Sequence, residues 1–219
     1  MEPLILLNLK VYKESIGENG LKLCKIAEKV AKKTGANIAV APQTPDLSRI
    51  ASSLSIPVFA QHVDSKDLGA FTGSITVEEV KAIGCKGTIL NHSERKVPFE
   101  EIKKVVEKAK QLQLVTVICA DTIEEAKKIS TLKPDYIAIE PPELIGSGIS
   151  VSKARPELIR DTVKAVKEIA DIPIICGAGI ATGDDVRRAV ELGVVGVLPA
   201  SAFAKAKDPE AVLLDMAGT

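Results

Sequence analysis

The sequence predicts an α/β fold, a (β/α)8 barrel built as a single domain over residues 1–219. Three observations carry this expectation. Eight short apolar runs recur along the chain, and a longer stretch of helical pattern follows them in turn. The turn after the first run, Asn8-Leu9-Lys10, has no glycine. This argues against an open doubly wound sheet, whose first strand usually leads into a glycine-rich dinucleotide turn. No Ser- or Pro-rich linker divides the chain.

The runs are Leu4–Asn8, Asn37–Ala41, Pro57–Ala60, Gly87–Leu90, Leu114–Cys119, Tyr136–Ile139, Pro173–Cys176 and Val194–Leu198. They are continuously apolar rather than alternating, as strands buried on both faces should be. After the first run, Leu21–Thr34 sets Leu23, Ile26, Ala27, Val30 and Ala31 on one helical stripe. The segments after runs two and three are weaker, although Thr76 stands before VEEV as a capping residue. Phe99–Gln111 follows run four, and Thr122–Leu132, capped by Asp121 or Thr122, follows run five. Pro156–Ile169 and Gly183–Leu192 follow runs six and seven. Strand–helix alternation favours parallel pairing through right-handed crossovers. A chain of 219 residues is short for an architecture that typically takes about 250, so some helices must be abbreviated.

Composition excludes several classes of function. Hydrophobic residues make up 46% and charged residues 26%, the balance of a globular protein able to bury a large core. Lys+Arg and Asp+Glu both number 29, so no global field holds a polyanion, and nucleic acid is not an expected partner. With no Trp, two Tyr and four Phe, few platforms exist for stacking bases. The longest nearly apolar stretch, Leu192 to Ala204, contains Pro199 and is too short to span a bilayer. The N-terminal residues lack the basic region and small-residue cleavage site of a signal peptide, so a cytoplasmic protein is expected. Cys24, Cys85, Cys119 and Cys176 lie far apart with no CxxC pair, and they read as reduced, buried thiols.

In a barrel of this kind chemistry collects where strands end and βα loops begin. Asn8 and Lys10 follow run one, Asn91-His92-Ser93-Glu94 run four, Glu140 run six, Gly177-Ala178-Gly179 run seven and Pro199-Ala200-Ser201 run eight. All these strand ends share one face, so the groups can converge. Glu140, partly desolvated at the end of YIAIE, suits a general base. His92 precedes what reads as the first turn of a helix, where the dipole disfavours imidazolium and leaves a neutral donor. Lys10 is either an ammonium that stabilises an oxyanion or a Schiff-base lysine. Small residues at Gly177–Gly179 and Ala200-Ser201 suit phosphate-cradling backbone amides. Pro141–Ser150 reads as a lid with hinge glycines at Gly146 and Gly148. His62 with Asp64 offers only two metal ligands, too few for a metal site, and no metal is expected.

Together these segments resemble the triosephosphate isomerase family, specifically its shorter archaeal-type branch, and the match runs in order over essentially the whole chain. Asn8-Leu9-Lys10 resembles the family's Asn-x-Lys, and Ala60-Gln61-His62 with Gly69–Gly73 its interface loop. Asn91–Arg95 resembles its electrophile motif, and Glu140–Gly148 its base and lid. The resemblance implies interconversion of dihydroxyacetone phosphate and glyceraldehyde 3-phosphate, without metal or organic cofactor. The pairing of a neutral histidine with a glutamate base is taken from this family rather than read from the sequence. On that basis Glu140, His92 and Lys10 are the expected catalytic residues. Asn8, Leu9, Lys10, Ile145, Gly146, Gly179, Ala200 and Ser201 are the expected substrate contacts. Thr72 resembles the residue that reaches a neighbouring subunit, and the branch implies a homodimer or, in preference, a homotetramer. Glu143 stands where longer members carry an aromatic residue, and Ala200-Ser201 where many carry two glycines. The role of Glu94 is left open. Two rival readings remain: another phosphate-binding barrel such as a Schiff-base aldolase, which borohydride trapping at Lys10 would reveal, and a phosphometabolite-binding barrel without catalysis.

Overall fold

The computed structural model describes residues 2–141 and 150–218. Most of the lid stretch, including Ile145 and Gly146, therefore lies outside the described residues.

Eight parallel strands occupy the predicted runs: β1 (Leu4–Asn8), β2 (Ile38–Ala41), β3 (Phe59–Ala60), β4 (Gly87–Leu90), β5 (Val115–Ala120), β6 (Tyr136–Ile139), β7 (Ile174–Cys176) and β8 (Gly196–Val197). They form one sheet in the order β2-β1-β8-β7-β6-β5-β4-β3. A parallel bridge from Val40 to Val58 ties β2 to the approach to β3 and closes the barrel. The helices are α1 (Glu18–Thr34), α2 (Leu47–Ser53), α3 (Val77–Ala82), α4 (Phe99–Gln111), α5 (Ile123–Ser130), α6 (Val151–Ala154), α7 (Pro156–Lys167), α8 (Gly183–Glu191), α9 (Ser201–Ala204) and α10 (Pro209–Met216). The two helices after β2 and β3 have only seven and six residues, in line with their weak pattern. Thr76 and Thr122 cap α3 and α5 by accepting from the Glu79 and Glu125 N–H groups.

The continuous apolarity of the strands serves two cores. Leu4, Leu6, Phe59, Ile89, Val117, Cys119, Ala138, Ile175 and Leu198 form a cluster without any helical residue, which fills the barrel interior. Their neighbours on the same strands, including Ile5, Leu7, Leu90, Ile118 and Ile139, pack against the helices. Alternation of Cβ direction along a strand divides the two sets. At one layer the interior takes Phe59 only because its neighbour is Gly87, where a Cβ would meet the Phe59 ring and the Val115 carbonyl. Among the described residues no helix is long and apolar enough to cross a membrane.

One local expectation is corrected. His92–Arg95 does not open a helix; it forms a turn in which the Arg95 N–H donates to the His92 carbonyl at 2.8 Å. The helix α4 starts only at Phe99, behind Pro98. Proline drives the residue before it out of the helical region, so α4 cannot extend back through Val97.

Candidate active site

A cavity of about 330 Å³ opens at the C-terminal ends of the strands, bordered by Asn8, Lys10, Tyr12, His92, Glu140, Gly179, Ala200, Ser201 and Lys205. Five strand ends (β1, β4, β6, β7 and β8) thus contribute to one space.

Lys10 sits just beyond β1 with φ 45°, a left-handed conformation unusual for a side-chain-bearing residue. Two side chains hold it there. Asn8 Oδ1 accepts the Lys10 N–H at 3.0 Å, and Gln61 Nε2 donates to the Lys10 carbonyl at 3.0 Å and to that of Ala41 at 2.9 Å. The ammonium is drawn to Glu94, 2.7 Å from Nζ to Oε1. Glu94 also reaches toward His92, with Oε2 3.6 Å from Nδ1.

His92 is buried, and its Nδ1 accepts the Glu94 backbone N–H at 3.1 Å. A ring nitrogen that accepts an N–H carries no proton, so the ring's proton belongs on Nε2. The neutral donor expected from a helix dipole is provided instead by one amide of a turn. Nε2 faces Glu140, 3.4 Å from Oε2.

Glu140 follows β6, its N–H donating to the Ala120 carbonyl at 2.9 Å. It is 3% exposed, and its Oε2 is buried without a hydrogen-bond partner among the described residues. Burial pushes the carboxyl above the ordinary glutamate range, the nearby Glu94 pushes it the same way, and His92, the Cys119 thiol and Lys10 pull against them. A desolvated carboxylate with one oxygen unsatisfied is a strong proton acceptor.

On the β7 and β8 side, Ala178 (φ 62°) and Gly179 (φ 73°) form a tight left-handed turn along the cavity wall. Ala200 and Ser201 border the same wall at the start of α9. Gly177, read in the sequence as part of a phosphate cradle, does not border the cavity; a Cβ there would collide with the Glu140 carboxyl group. Its bareness makes room for that carboxyl. Leu9, expected among the substrate contacts, is fully buried in the outer core and does not border the cavity. Alternation along the chain sends the side chain between Asn8 and Lys10 away from the cavity they share. His62 pairs with Asp64, 3.1 Å from Nε2 to Oδ1. All four cysteines are free and buried, and burial pushes Cys24 up to about 12 and Cys85 to about 11.

The site therefore gathers an ammonium, an imidazole donor and a desolvated carboxylate beside a wall of small residues. Comparison with known proteins points the same way. The model of the family described as triosephosphate isomerase matches residues 3–217. The chain belongs to the triosephosphate isomerase family. It is 50% identical over 214 residues to the protein named triosephosphate isomerase from Methanocaldococcus jannaschii, covering 97% of this chain and 98% of that one. It is 52% identical to the one from Methanobacterium bryantii, over 98% of this chain and 95% of that one. The one from Metallosphaera sedula is 48% identical, over 97% and 93%.

The likeness to triosephosphate isomerases did not by itself point to Tyr12 and Lys205. Lys205 Nζ stands 4.1 Å from the centroid of the Tyr12 ring, and both residues border the cavity. Gln61, which holds the Lys10 turn, was legible only as part of an interface loop. The available signal was position: Tyr12 is one of two tyrosines and lies four residues past the end of β1, and Gln61 directly follows β3.

Proposed function

We propose that this chain interconverts dihydroxyacetone phosphate and glyceraldehyde 3-phosphate through an enediolate, with Glu140 as base, His92 as electrophile and Lys10 as the stabilising cation. Glu140 takes the proton from the carbon beside the carbonyl and returns it to the neighbouring carbon. The His92 Nε2–H donates to the carbonyl oxygen, where negative charge develops, and moves protons between the two oxygens. The Lys10 ammonium, paired with Glu94 in the free protein, borders the same cavity as the imidazole and stabilises that charge when substrate is bound. The phosphate is held at Gly179, Ala200 and Ser201, with Lys205 as a second cation on the wall. Asn8 orients Lys10 through its hydrogen bond to the backbone.

The observation that carries this reading is the 3.4 Å approach of His92 Nε2 to a Glu140 oxygen that has no hydrogen-bond partner among the described residues. Base and electrophile line the same cavity side by side, where the substrate's carbonyl oxygen and the carbon next to it would meet them. The test is Glu140→Asp, which retracts the carboxylate by one methylene. Loss of a positioned base should lower turnover roughly 10²–10⁴-fold. Unchanged turnover of triose phosphate would overturn the assignment. Borohydride trapping that labels Lys10 would favour the aldolase reading instead.

The chain is read as one barrel domain that acts in the cytoplasm and associates with copies of itself, a tetramer being favoured over a dimer. Exposed apolar side chains on the loops after β1 and β3 support association: Val11 (78% exposed), Ile16 (58%), Leu68 (71%) and Phe71 (46%). A second cavity of about 310 Å³, bordered by Gln43, Thr44, Pro45, Gln61, Glu94 and Arg95, suits the exposed Phe71-Thr72 loop of another copy. Light scattering should give a multiple of the chain mass, and Phe71→Asp should reduce it; a parent chain that scatters as a monomer would refute the association.

A further inference from the structure

Asn91 borders neither cavity, yet every polar atom of its side chain is committed. It lies one residue past β4, is 1% exposed, and has φ 59°. Asparagine tolerates this left-handed region better than most residues with a side chain. Its Nδ2 donates to the Cys119 carbonyl at 2.9 Å and to Glu125 Oε1 at 2.8 Å. Its Oδ1 accepts the Val97 N–H at 3.0 Å. An asparagine side chain offers two donors and one carbonyl oxygen, and all are used.

The partners matter as much as the count. The Oδ1 bond runs from residue 91 to residue 97, so it closes the His92–Lys96 turn into a ring. The Nδ2 bonds fasten that ring to the end of β5 and to α5. Glu125 is itself fixed: its Oε2 accepts the Asp121 N–H at 2.8 Å, and Lys96 Nζ binds its two oxygens at 2.7 and 2.8 Å. Lys96, from within the ring, also reaches Asp121 at 3.2 Å. The end of β5 in turn holds Glu140, whose N–H donates to the Ala120 carbonyl at 2.9 Å.

We propose that Asn91 is a positioning residue that ties the His92 turn to β5 and so fixes the separation of the imidazole and the Glu140 carboxylate. The inference rests on the isomerase reading of the site and adds a residue that touches no substrate. It separates two functions: the β4–β5 clamp sets the reacting geometry, and the β7 and β8 loops, to which Asn91 makes no hydrogen bond, bind phosphate.

The test is Asn91→Gly, which keeps the left-handed backbone accessible and removes all three side-chain bonds. A misplacement of about 1 Å costs on the order of 100-fold in rate. The expected result is a kcat lowered roughly 10- to 100-fold, with KM and inhibition by inorganic phosphate within about threefold of the parent. A kcat within about threefold of the parent overturns the proposal, as does a parallel loss of phosphate affinity, which would indicate a general collapse of the loop face. Should Asn91→Gly fail to fold, Asn91→Asp sets an acceptor against the Cys119 carbonyl and the Glu125 carboxylate. Adding Glu125→Gln returns a donor toward residue 91. Partial recovery of kcat in the double variant is expected, and no recovery overturns the proposal. A readout independent of turnover is the ¹⁵N spectrum of His92, simple to assign with only two histidines in the chain. The parent should hold the single Nε2–H tautomer and Asn91→Gly a mixture; an unchanged tautomer in the variant counts against the clamp. A parent chain that fails to turn over triose phosphate sinks the isomerase reading alone, because the tautomer still reports on the clamp.

Discussion

Gly177→Ala tests the site with a single methyl group. Gly177 follows β7, and its N–H donates to the Ile139 carbonyl at 3.1 Å, so its Cα lies against the strand end that carries Glu140. A Cβ built there meets Oε1, Cγ and Cδ of Glu140, the last at 2.5 Å. Non-bonded carbons rest at about 3.5–4.0 Å, so the carboxyl group must retreat by about 1 Å or more. Nothing else changes. The Gly177 backbone lies outside the left-handed region, so alanine brings no dihedral strain, and the N–H bond survives. The colliding atoms are all side-chain atoms of Glu140, none of them backbone, so the cheapest relief is rotation of Glu140 rather than movement of the barrel.

Overpacking of this kind costs about 1–3 kcal/mol of stability, whereas displacing a base by about 1 Å costs on the order of 100-fold in rate. Activity should therefore fall far more than stability. A coupled assay should give a kcat about 100-fold down with KM within a few-fold, and a thermal melt should remain cooperative. A folded variant with kcat within about threefold of the parent would refute the claim that the carboxylate must occupy its observed position.

Two further outcomes concern buried carboxylates with opposite shifts. Burial raises the Glu140 carboxyl, so the folded state binds that proton more tightly than the unfolded chain does, and stability falls as pH rises between the ordinary value of 4.5 and the raised one. Glu140→Gln should melt higher than the parent at pH 7 and lose that advantage below pH 4.5; because the substrate phosphate itself titrates near pH 6, the carboxyl is best followed by its infrared band in the free protein, and a midpoint at or below 4.5 would contradict the desolvation argument. Glu28 runs the other way. The Ser55 N–H bond, with help from the Ser55 hydroxyl, Lys25 and Lys32, outweighs burial and holds its carboxyl down to about 2. Its stabilisation is complete above 4.5 and drains away as pH falls toward 2. Glu28→Gln should thus lower the melting temperature at pH 7 and converge on the parent near pH 2; equal melting at pH 7 would count against it.

The barrel was legible because strands buried on both faces write themselves as unbroken apolar runs, and seven of the eight observed strands lie within the runs read from sequence. The eighth, β5, extends one residue past its run, to Ala120. Boundaries shifted by a residue or two where flanking Pro57 and Pro173 have no N–H for the ladder. The ends of the chemistry were legible too, since Lys10, His92 and Glu140 are polar residues placed directly after such runs. What the sequence concealed was the layer behind them. The hydrogen bonds of Gln61 to Lys10 and of Asn91 to Cys119 join residues 51 and 28 positions apart, and no local pattern marks them. The role of Gly177 was equally hidden, because a glycine that vacates space for a side chain reads the same as one that turns the chain.

The site's cost is spread over several strand ends rather than stored in one residue. Lys10 after β1, Asn91 after β4 and Ala178 after β7 all have positive φ, at 45°, 59° and 62°. None is a glycine, and left-handed backbone costs a side-chain-bearing residue roughly 1–2 kcal/mol. Beside them lies a carboxylate with a buried oxygen that has no hydrogen-bond partner among the described residues. Such features persist only where the surroundings over-determine them, and here the surroundings are identifiable: Asn8 and Gln61 around Lys10, Cys119, Glu125 and Val97 around Asn91, and the bare Cα of Gly177 beside Glu140. The two closed cores of the barrel supply the stability that this arrangement spends. A neutral imidazole and a desolvated carboxylate 3.4 Å apart are poor for folding and apt for moving a proton, so the residues that hold them determine the rate as surely as the groups that touch the substrate.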